Sequence, residues 1–457
     1  MNQMKRIGKF IVNNKRLIFI FFFAFCVYEF ISFHSNNGDP VAMYSFSHAI
    51  KMGEIPYKDF NIISTPLYIF IMSIGLFVYD NYIIFILEQC IIVTVLFYFL
   101  FKMFDKKTWI FLFGICLFSY FGILPTYNFL CLVFLVIVYY LEKNYPDKDF
   151  VIGLMLGFAV LSKHTVGLLL CLSMLIIHYK DFKKILRRIS GIVIPCFIFL
   201  IYLIVTNSLY PFINLAFLGL FDFGSKNSNL AGKWFIASLV VIIIMLYIVI
   251  KHPKDKYNYY LLCSYFFAYP LYDINHFSFL NNCFMILVLG YLDIKNIKYY
   301  NYIVKCSFIM CFVYSMYFFT CIISDRPVVF FRDFNHYQFF LGFKSDYDID
   351  RKVNKILDKY KDKNMIVLSG YTMFYDVIRD RRINYFDVLL YGNHGYHGTQ
   401  YMIDKIKNEH DVYIIVDIMR YKTANKSSQY NKEIIEYVIN NYNQIDSKEL
   451  FNIYYKE

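Results

Sequence analysis

Residues 17–40 read LIFIFFFAFCVYEFISFHSNNGDP: an apolar run of seventeen residues, 17–33, with Glu29 as its one charge, closed by a polar turn that ends in Asp39-Pro40. Hydrocarbon offers no partner to backbone N–H and C=O groups, so such a run enters a bilayer as helix, and about 17 to 25 apolar residues suffice to cross. Residues 1–16 carry Lys5, Arg6, Lys9, Lys15 and Arg16 with no acid, the basic flank expected on the cytoplasmic side. A basic start before an apolar run also suits a signal peptide. However, this run is long for one, and no small-residue cleavage pattern occurs at Ser35 to Asp39, so it is read as a retained first span.

Outward from this stretch, similar runs recur at 83–101, 236–250 and 302–323. Of the 457 residues 58% are hydrophobic, 21% aromatic and 18% charged, and the mean hydropathy is +0.45, which excludes an ordinary soluble domain. The formal charge of +12 invites a nucleic-acid reading, but up to Ser324 there are 26 Lys+Arg against 15 Asp+Glu, and beyond it 20 against 19. The excess lies between apolar spans, where positive-inside topology accounts for it, so no nucleic-acid partner is expected. All 11 cysteines lie between Cys26 and Cys321, in or beside apolar segments, and read as packing residues.

Placing the N-terminus in the cytoplasm puts a first outer loop at 34–64 and leaves 66–79, too short to span, as a surface helix. Spans then fall at 17–33, 83–101, 109–124, 127–141, 151–161, 165–179, 189–206, 234–250, 259–271, 277–293 and 302–323, eleven in all. This threading puts 20 Lys/Arg inside and five outside: Lys51, Lys58, Lys163, Lys226 and Lys233. A further apolar piece, 211–223, is read as a re-entrant or surface helix. From 325 the pattern changes to short β-rich runs (365–368, 412–418, 451–455) alternating with polar helices (350–360, 399–408, 432–441). The expected fold is therefore an α-helical polytopic membrane protein, residues 1–324, with a small α/β domain at 325–457. An odd number of spans places that domain outside the cytoplasm, and the protein in the cell membrane.

The outer positions supply the candidates for chemistry. Asp39 stands just beyond the first span, where a carboxylate can act as a base. Followed by Pro40, it is equally a good N-cap for a helix running to Ile50. Asp59, in PYKDF, is a second outer acid, and the two could divide base and metal-ligand roles, which leaves room for a divalent metal without demanding one; its other reading is a turn residue. Glu54, after Gly53, reads as solvated surface. Lys163 and His164 interrupt an apolar stretch, where a cation is costly unless paired or used, and a lipid phosphate would pair them; a snorkelling lysine is the alternative. Asp273 and His276, in YPLYDINHF, suit a phosphate or a polar sugar, or simply a cap. His394 and His397, in GNHGYHG, lack a third ligand and read as an ordinary loop.

In order and common outer placement these features resemble the GT-C superfamily of membrane glycosyltransferases, which includes protein O-mannosyltransferases and lipid A aminoarabinose transferases. The likeness covers nearly the whole chain. It rests on Gly38-Asp39, the run G-x-x-P-Y-x-D-F at 53–60 followed by TPLYIF, PTYN at 125–128, LSKHTVG at 161–167 and DINH at 273–276. The resemblance implies a polyprenyl-phosphate sugar donor, Asp39 as base, and Lys163 with His276 on the donor phosphate. It also implies an acceptor that is a glycan, a lipid or a protein. Many members carry adjacent acids in the first loop and another acid at the later turn, whereas here Pro40 follows Asp39 and the turn offers Tyr127 and Asn128. A lipid phosphate is a good leaving group, so a base for the acceptor hydroxyl and cations for the departing charge would suffice, with inversion at the anomeric carbon. An O-antigen polymerase or ligase and a lipid-linked glycan flippase are the rival readings. The latter should show repeated halves and broken helices at the midplane.

Overall fold

The computed structural model describes residues 39–104, 126–227, 232–294 and 327–457, apart from 254, 270, 370–372, 384–388, 419–420, 423–430 and 449, together with residues 22, 23, 26 and 313. The spans expected at 17–33, 109–124 and 302–323 fall outside this set, save for those isolated positions. Contacts divide the chain into a helical unit (1–32, 86–199, 229–325) and a mixed unit (33–85, 200–228, 326–457).

Four described helices are long and apolar enough to cross a membrane: α3 (Tyr82–Met103), α4 (Tyr127–Asn144), α7 (Phe182–Val205) and α10 (Lys233–Lys251). Two of them, α7 and α10, keep large apolar side chains such as Phe197, Ile198, Ile243 and Ile250 exposed along the chain, far more than the single exposed residues of a soluble surface. The protein is a membrane protein. In the helical unit α4 is the central element, with Phe129, Leu132, Leu135 and Val138 buried against α5 (Asp149–Ser162), which in turn packs on α6 (His164–His178). Close approach of α5 and α7 depends on glycine. A Cβ on Gly153 would lie 2.0 Å from the Arg188 carbonyl oxygen, and one on Gly191 2.3 Å from that of Phe150.

Where α4, α5, α6 and α7 meet, ionic groups are sealed inside. The Arg188 guanidinium, with no exposed surface, grips Glu142 through Nη1 and through Nη2 at 3.1 Å, and reaches Asp149 from Nε at 2.9 Å. Tyr260 donates to Glu142 at 2.7 Å and His178 lies 3.3 Å from it. The apolar run expected as one span at 259–271 forms two short helices, α11 (Tyr259–Leu262) and α12 (Tyr265–Ala268), before α13 (Ile274–Ile294). The reason lies in contacts distant in sequence: Asn258 accepts from Tyr139 at 2.7 Å and Tyr260 is committed to Glu142, so polar anchors hold the start of this run to α4.

The mixed unit begins with α1 (Asp39–Lys51), which opens at the expected Asp39-Pro40, and α2 (Leu67–Leu76), the short apolar helix expected at 66–79. The piece read at 211–223 is helical as α8 (Leu209–Ile213) and α9 (Gly219–Asn227), joined by a π-helical turn at Asn214–Leu218. Beyond 326, β1 (Val328–Phe330) pairs antiparallel with β2 (Leu341–Phe343), and α14 (Lys344–Asp358) follows. Strands β3 (Met365–Leu368), β4 (Val412–Asp417), β5 (Asn443–Ser447) and β6 (Phe451–Lys456) form a sheet of order β3-β4-β6-β5 with β3 and β4 parallel and the other pairs antiparallel. A parallel pair needs a crossover, and the intervening chain supplies α15 (Met373–Val377) and α16 (Gly398–Asn408). Ile366, Leu368, Ile414 and Val416 share an apolar core with Met402 and Ile406 of α16 and with Ile434 and Val438 of α17 (Lys432–Asn441).

Candidate functional site

In the helical unit the polar candidates gather at one end of the helix set. Cys131, one turn into α4, approaches the Ala159 carbonyl at 3.7 Å, which brings the start of α4 (Tyr127, Asn128) to the end of α5 (Lys163). Lys163 leaves the helical path in an extended conformation between α5 and α6 and is 9% exposed. Among the described residues its Nζ lies over the face of Phe267, at 5.3 Å, with Cys131 and Asp273 acting on it electrostatically and no carboxylate within ion-pair distance. A desolvated ammonium held this way is an anion site by its chemistry. His164 is buried at the first position of α6, and Asn128 is buried with its Oδ1 lacking a partner among the described residues. His276, in the first turn of α13, is held by Asp273: its backbone N–H donates at 2.8 Å and Nδ1 at 2.9 Å to Asp273 Oδ1. The Asp273 carboxylate is thus spent on fixing His276, and the other ring nitrogen carries whatever the imidazole does.

In the mixed unit Asp39 is exposed at the N-terminus of α1, and the helix that follows is buried from Pro40 to Ala49. Asp59 is half-buried and accepts the Ile55 backbone N–H at 2.8 Å, so its turn role is realised. Beside it Tyr57 takes φ +70 and donates to the Ser64 carbonyl at 2.8 Å. Glu54 corrects an expectation: it is not solvated surface but 4% exposed, and one oxygen accepts the Ile383 backbone N–H at 3.2 Å while the other has no partner among the described residues. Burial, set against that hydrogen bond and joined by the charge of Asp59, pushes the carboxyl up to about 7. The GNHGYHG loop is structural, as expected. Gly392 and Gly395 (φ +86 and +84) pack on Phe223 and Asn214, and the Tyr396 and His397 N–H groups donate to Asn214 and Asp222 at 3.1 and 2.9 Å.

One cluster has no counterpart among the residues read from sequence. Tyr44, His48 and Lys51, spaced i, i+4, i+7 on α1, all turn to Asp80: the Tyr44 hydroxyl at 3.2 Å, His48 Nδ1 at 2.9 Å and Lys51 Nζ at 3.0 Å. His336 joins from the far end of the sequence, with Nδ1 2.7 Å from the Asp80 carbonyl oxygen and Nε2 2.7 Å from Asp380 Oδ1. Burial works to raise the Asp80 carboxyl, but the bonds from His48 and Lys51, with the electrostatic pull of His48 and His336, hold it at about 2. The helical spacing of three groups that can bind a carboxylate, at i, i+4 and i+7 of one helix, was the available signal.

The chain can now be set beside known structures. ArnT from Cupriavidus metallidurans, solved bound to undecaprenyl phosphate, is similar over 97% of this chain and 98% of its own, with a TM-score of 0.53 and 10% identity. The fold is GT-C. No protein-family model matches the sequence, and comparison with curated proteins yields no match. At this identity the likeness speaks for the arrangement of the chain and leaves the roles of individual residues to their own chemistry.

Proposed function

We propose that the protein transfers a sugar from a polyprenyl-phosphate donor to an acceptor hydroxyl at the outer face of the membrane, with inversion. The observation that carries this reading is Lys163, a buried cation between two apolar helices with no described carboxylate to pair it. Burying an unpaired ammonium is expensive, and a phosphate on a lipid is the ligand that would both reach and neutralise it. The GT-C fold, and the binding of undecaprenyl phosphate by ArnT, point the same way.

In this mechanism Lys163 and His276 hold the donor phosphate and take up the charge that develops as the glycosidic C–O bond breaks, with Tyr127, Asn128, His164 and Asp273 as supporting contacts. Asp39 accepts the proton of the attacking hydroxyl, and Asp59 secures the turn beyond α1. A lipid phosphate leaves without protonation, so one base and one cation complete the chemistry, and a divalent metal is an addition the scheme accommodates without requiring. The associated topology is eleven spans with a cytoplasmic N-terminus and residues 325–457 outside. A reporter fused at Glu457 and active only in the cytoplasm would refute that.

The test is transfer and donor binding with labelled polyprenyl-phosphate sugars. Asp39→Asn keeps size and most capping capacity but cannot take the proton, so transfer is lost while donor binding and melting temperature stay close to wild type. Lys163→Met weakens donor binding and slows transfer together, which loss of a merely snorkelling lysine would not do. Near-normal turnover in Asp39→Asn, or loss of activity that tracks loss of stability, would make Asp59 the first candidate for the base.

A further inference from the structure

The Asp80 cluster lies outside the proposed reaction and offers a ligand set of its own. One ring nitrogen each of His48 and His336 and a carboxylate oxygen of Asp80 lie within 4.8 Å of one another. His48 Nδ1 is 2.9 Å and His336 Nδ1 3.6 Å from Asp80 Oδ2. Both imidazoles are buried, and their rings meet edge to face with centroids 4.9 Å apart. Tyr44, Tyr82 and Tyr337 pack around Asp80's partners as a mutual aromatic cluster, with centroids 5.2 to 5.6 Å apart.

The surroundings of His336 suit a ligand. Its Nε2 lies 2.7 Å from Asp380 Oδ1 and 3.1 Å from the Asn335 amide nitrogen, and its Nδ1 lies 2.7 Å from the Asp80 carbonyl oxygen and 3.6 Å from Asp80 Oδ2. Nδ1 thus faces oxygen atoms only, a place where a metal ion can take over from a ring proton. A carboxylate on the far nitrogen of a histidine is also the usual orienting partner of a metal-bound imidazole. His48 repeats the arrangement in part, with Nδ1 on Asp80 and Nε2 buried without a partner among the described residues.

We propose that His48, Asp80 and His336 form a binding site for a divalent transition metal of the zinc type, tying α1, the turn before α3 and the 331–340 segment of the mixed unit together. Two imidazoles and one carboxylate are a nitrogen-and-oxygen set that zinc accepts with a fourth position left for water. Binding displaces the Lys51 ammonium from the Asp80 oxygen and requires the ligating imidazole nitrogens to be free of protons. Asp380 acts as a positioning residue through His336.

The experiment uses the full chain in detergent, stripped with a chelator and titrated with zinc, metal content being read by plasma mass spectrometry. The expected result is uptake of about one zinc per chain, abolished in His48→Gln/His336→Gln. Asp380→Asn should weaken binding by about 10- to 100-fold. Lys51→Met, which removes the competing ammonium from a side chain already 30% exposed, should tighten it. Should the double variant fail to fold, cobalt on the wild-type chain answers instead: a strong visible absorption of a four-coordinate ion, bleached by zinc, supports the site. The proposal is overturned if the folded wild-type chain takes up no zinc, if the double variant keeps full uptake, or if cobalt shows only the weak spectrum of the hydrated ion. None of these readouts depends on sugar transfer, so the site stands or falls apart from the proposed reaction.

Discussion

Two multiply partnered carboxylates anchor the two units in opposite ways. Glu142 in the helical unit is enclosed by partners that are themselves enclosed: Arg188 has no exposed surface, and Tyr260 and His178 complete the shell. Asp80 in the mixed unit is gripped by as many groups, but its lysine is 30% exposed, and one of its histidines keeps a buried nitrogen without a described partner. The first arrangement is closed and has nothing left to bind with. The second keeps an exchangeable cation and a spare ligand atom, which is what separates a cluster that only holds helices together from one that can also take a guest.

The closed cluster should be the more sensitive to truncation. Arg188→Met leaves Glu142 and Asp149 buried without their guanidinium, and removal of one partner from such a pair costs about 3–5 kcal/mol. The expected outcome is a large drop in melting temperature or loss of monodisperse protein in detergent. Arg188→Lys should recover only part of it, since an ammonium cannot span both carboxylates as the planar fork does. A Met variant as stable as wild type would show that the cluster is not closed. Gly153→Ala probes the same helices without touching charge. Its Cβ would meet Arg188 backbone 2.0 Å away, forcing α5 and α7 apart at about 1–3 kcal/mol. Read as melting temperature, this loss should be smaller than that of Arg188→Met.

What could be read in advance follows the same division. The apolar runs at 83–101, 127–141 and 234–250 stand as α3, α4 and α10 because a span is a local property of composition. The opening of α1 at Asp39-Pro40 is likewise local, and so are strands β3, β4 and β6. What was not legible depends on partners distant in sequence. His336 reaches Asp80 across 256 positions, and Glu54 meets the Ile383 N–H across 329. No window of sequence announces such contacts, and so Glu54, next to a glycine turn, looked solvated. The single apolar run at 259–271 was divided for the same reason: the Asn258 and Tyr260 anchors lie on α4.

Glu54 gives the smallest expected effect and refines the comparison, because it is a buried carboxylate that has neither shell. Its folded-state pKa, raised by burial from 4.5 to about 7, means that the folded protein holds the proton more tightly than the unfolded chain. The stability this contributes is fully present below pH 4.5 and is lost as pH rises through about 7, the opposite of a salt-bridged acid. Each pH unit of the raised interval is worth at most about 1.4 kcal/mol, and Arg382 beside the group offsets part of it. Glu54→Gln cannot ionise, and its side-chain oxygen can still accept from Ile383, although the new amide N–H groups enter a buried place where one carboxylate oxygen already lacked a partner. The net gain at pH 8 is therefore about 1 kcal/mol, less than the full swing. Melting temperatures of the two proteins should draw level or reverse at pH 5, diverge in favour of the variant between pH 5 and 7, and run parallel above that. A difference that is constant across this range would mean that Glu54 does not titrate there, and a wild type that gains on the variant as pH rises would place a cation on the oxygen that now stands alone.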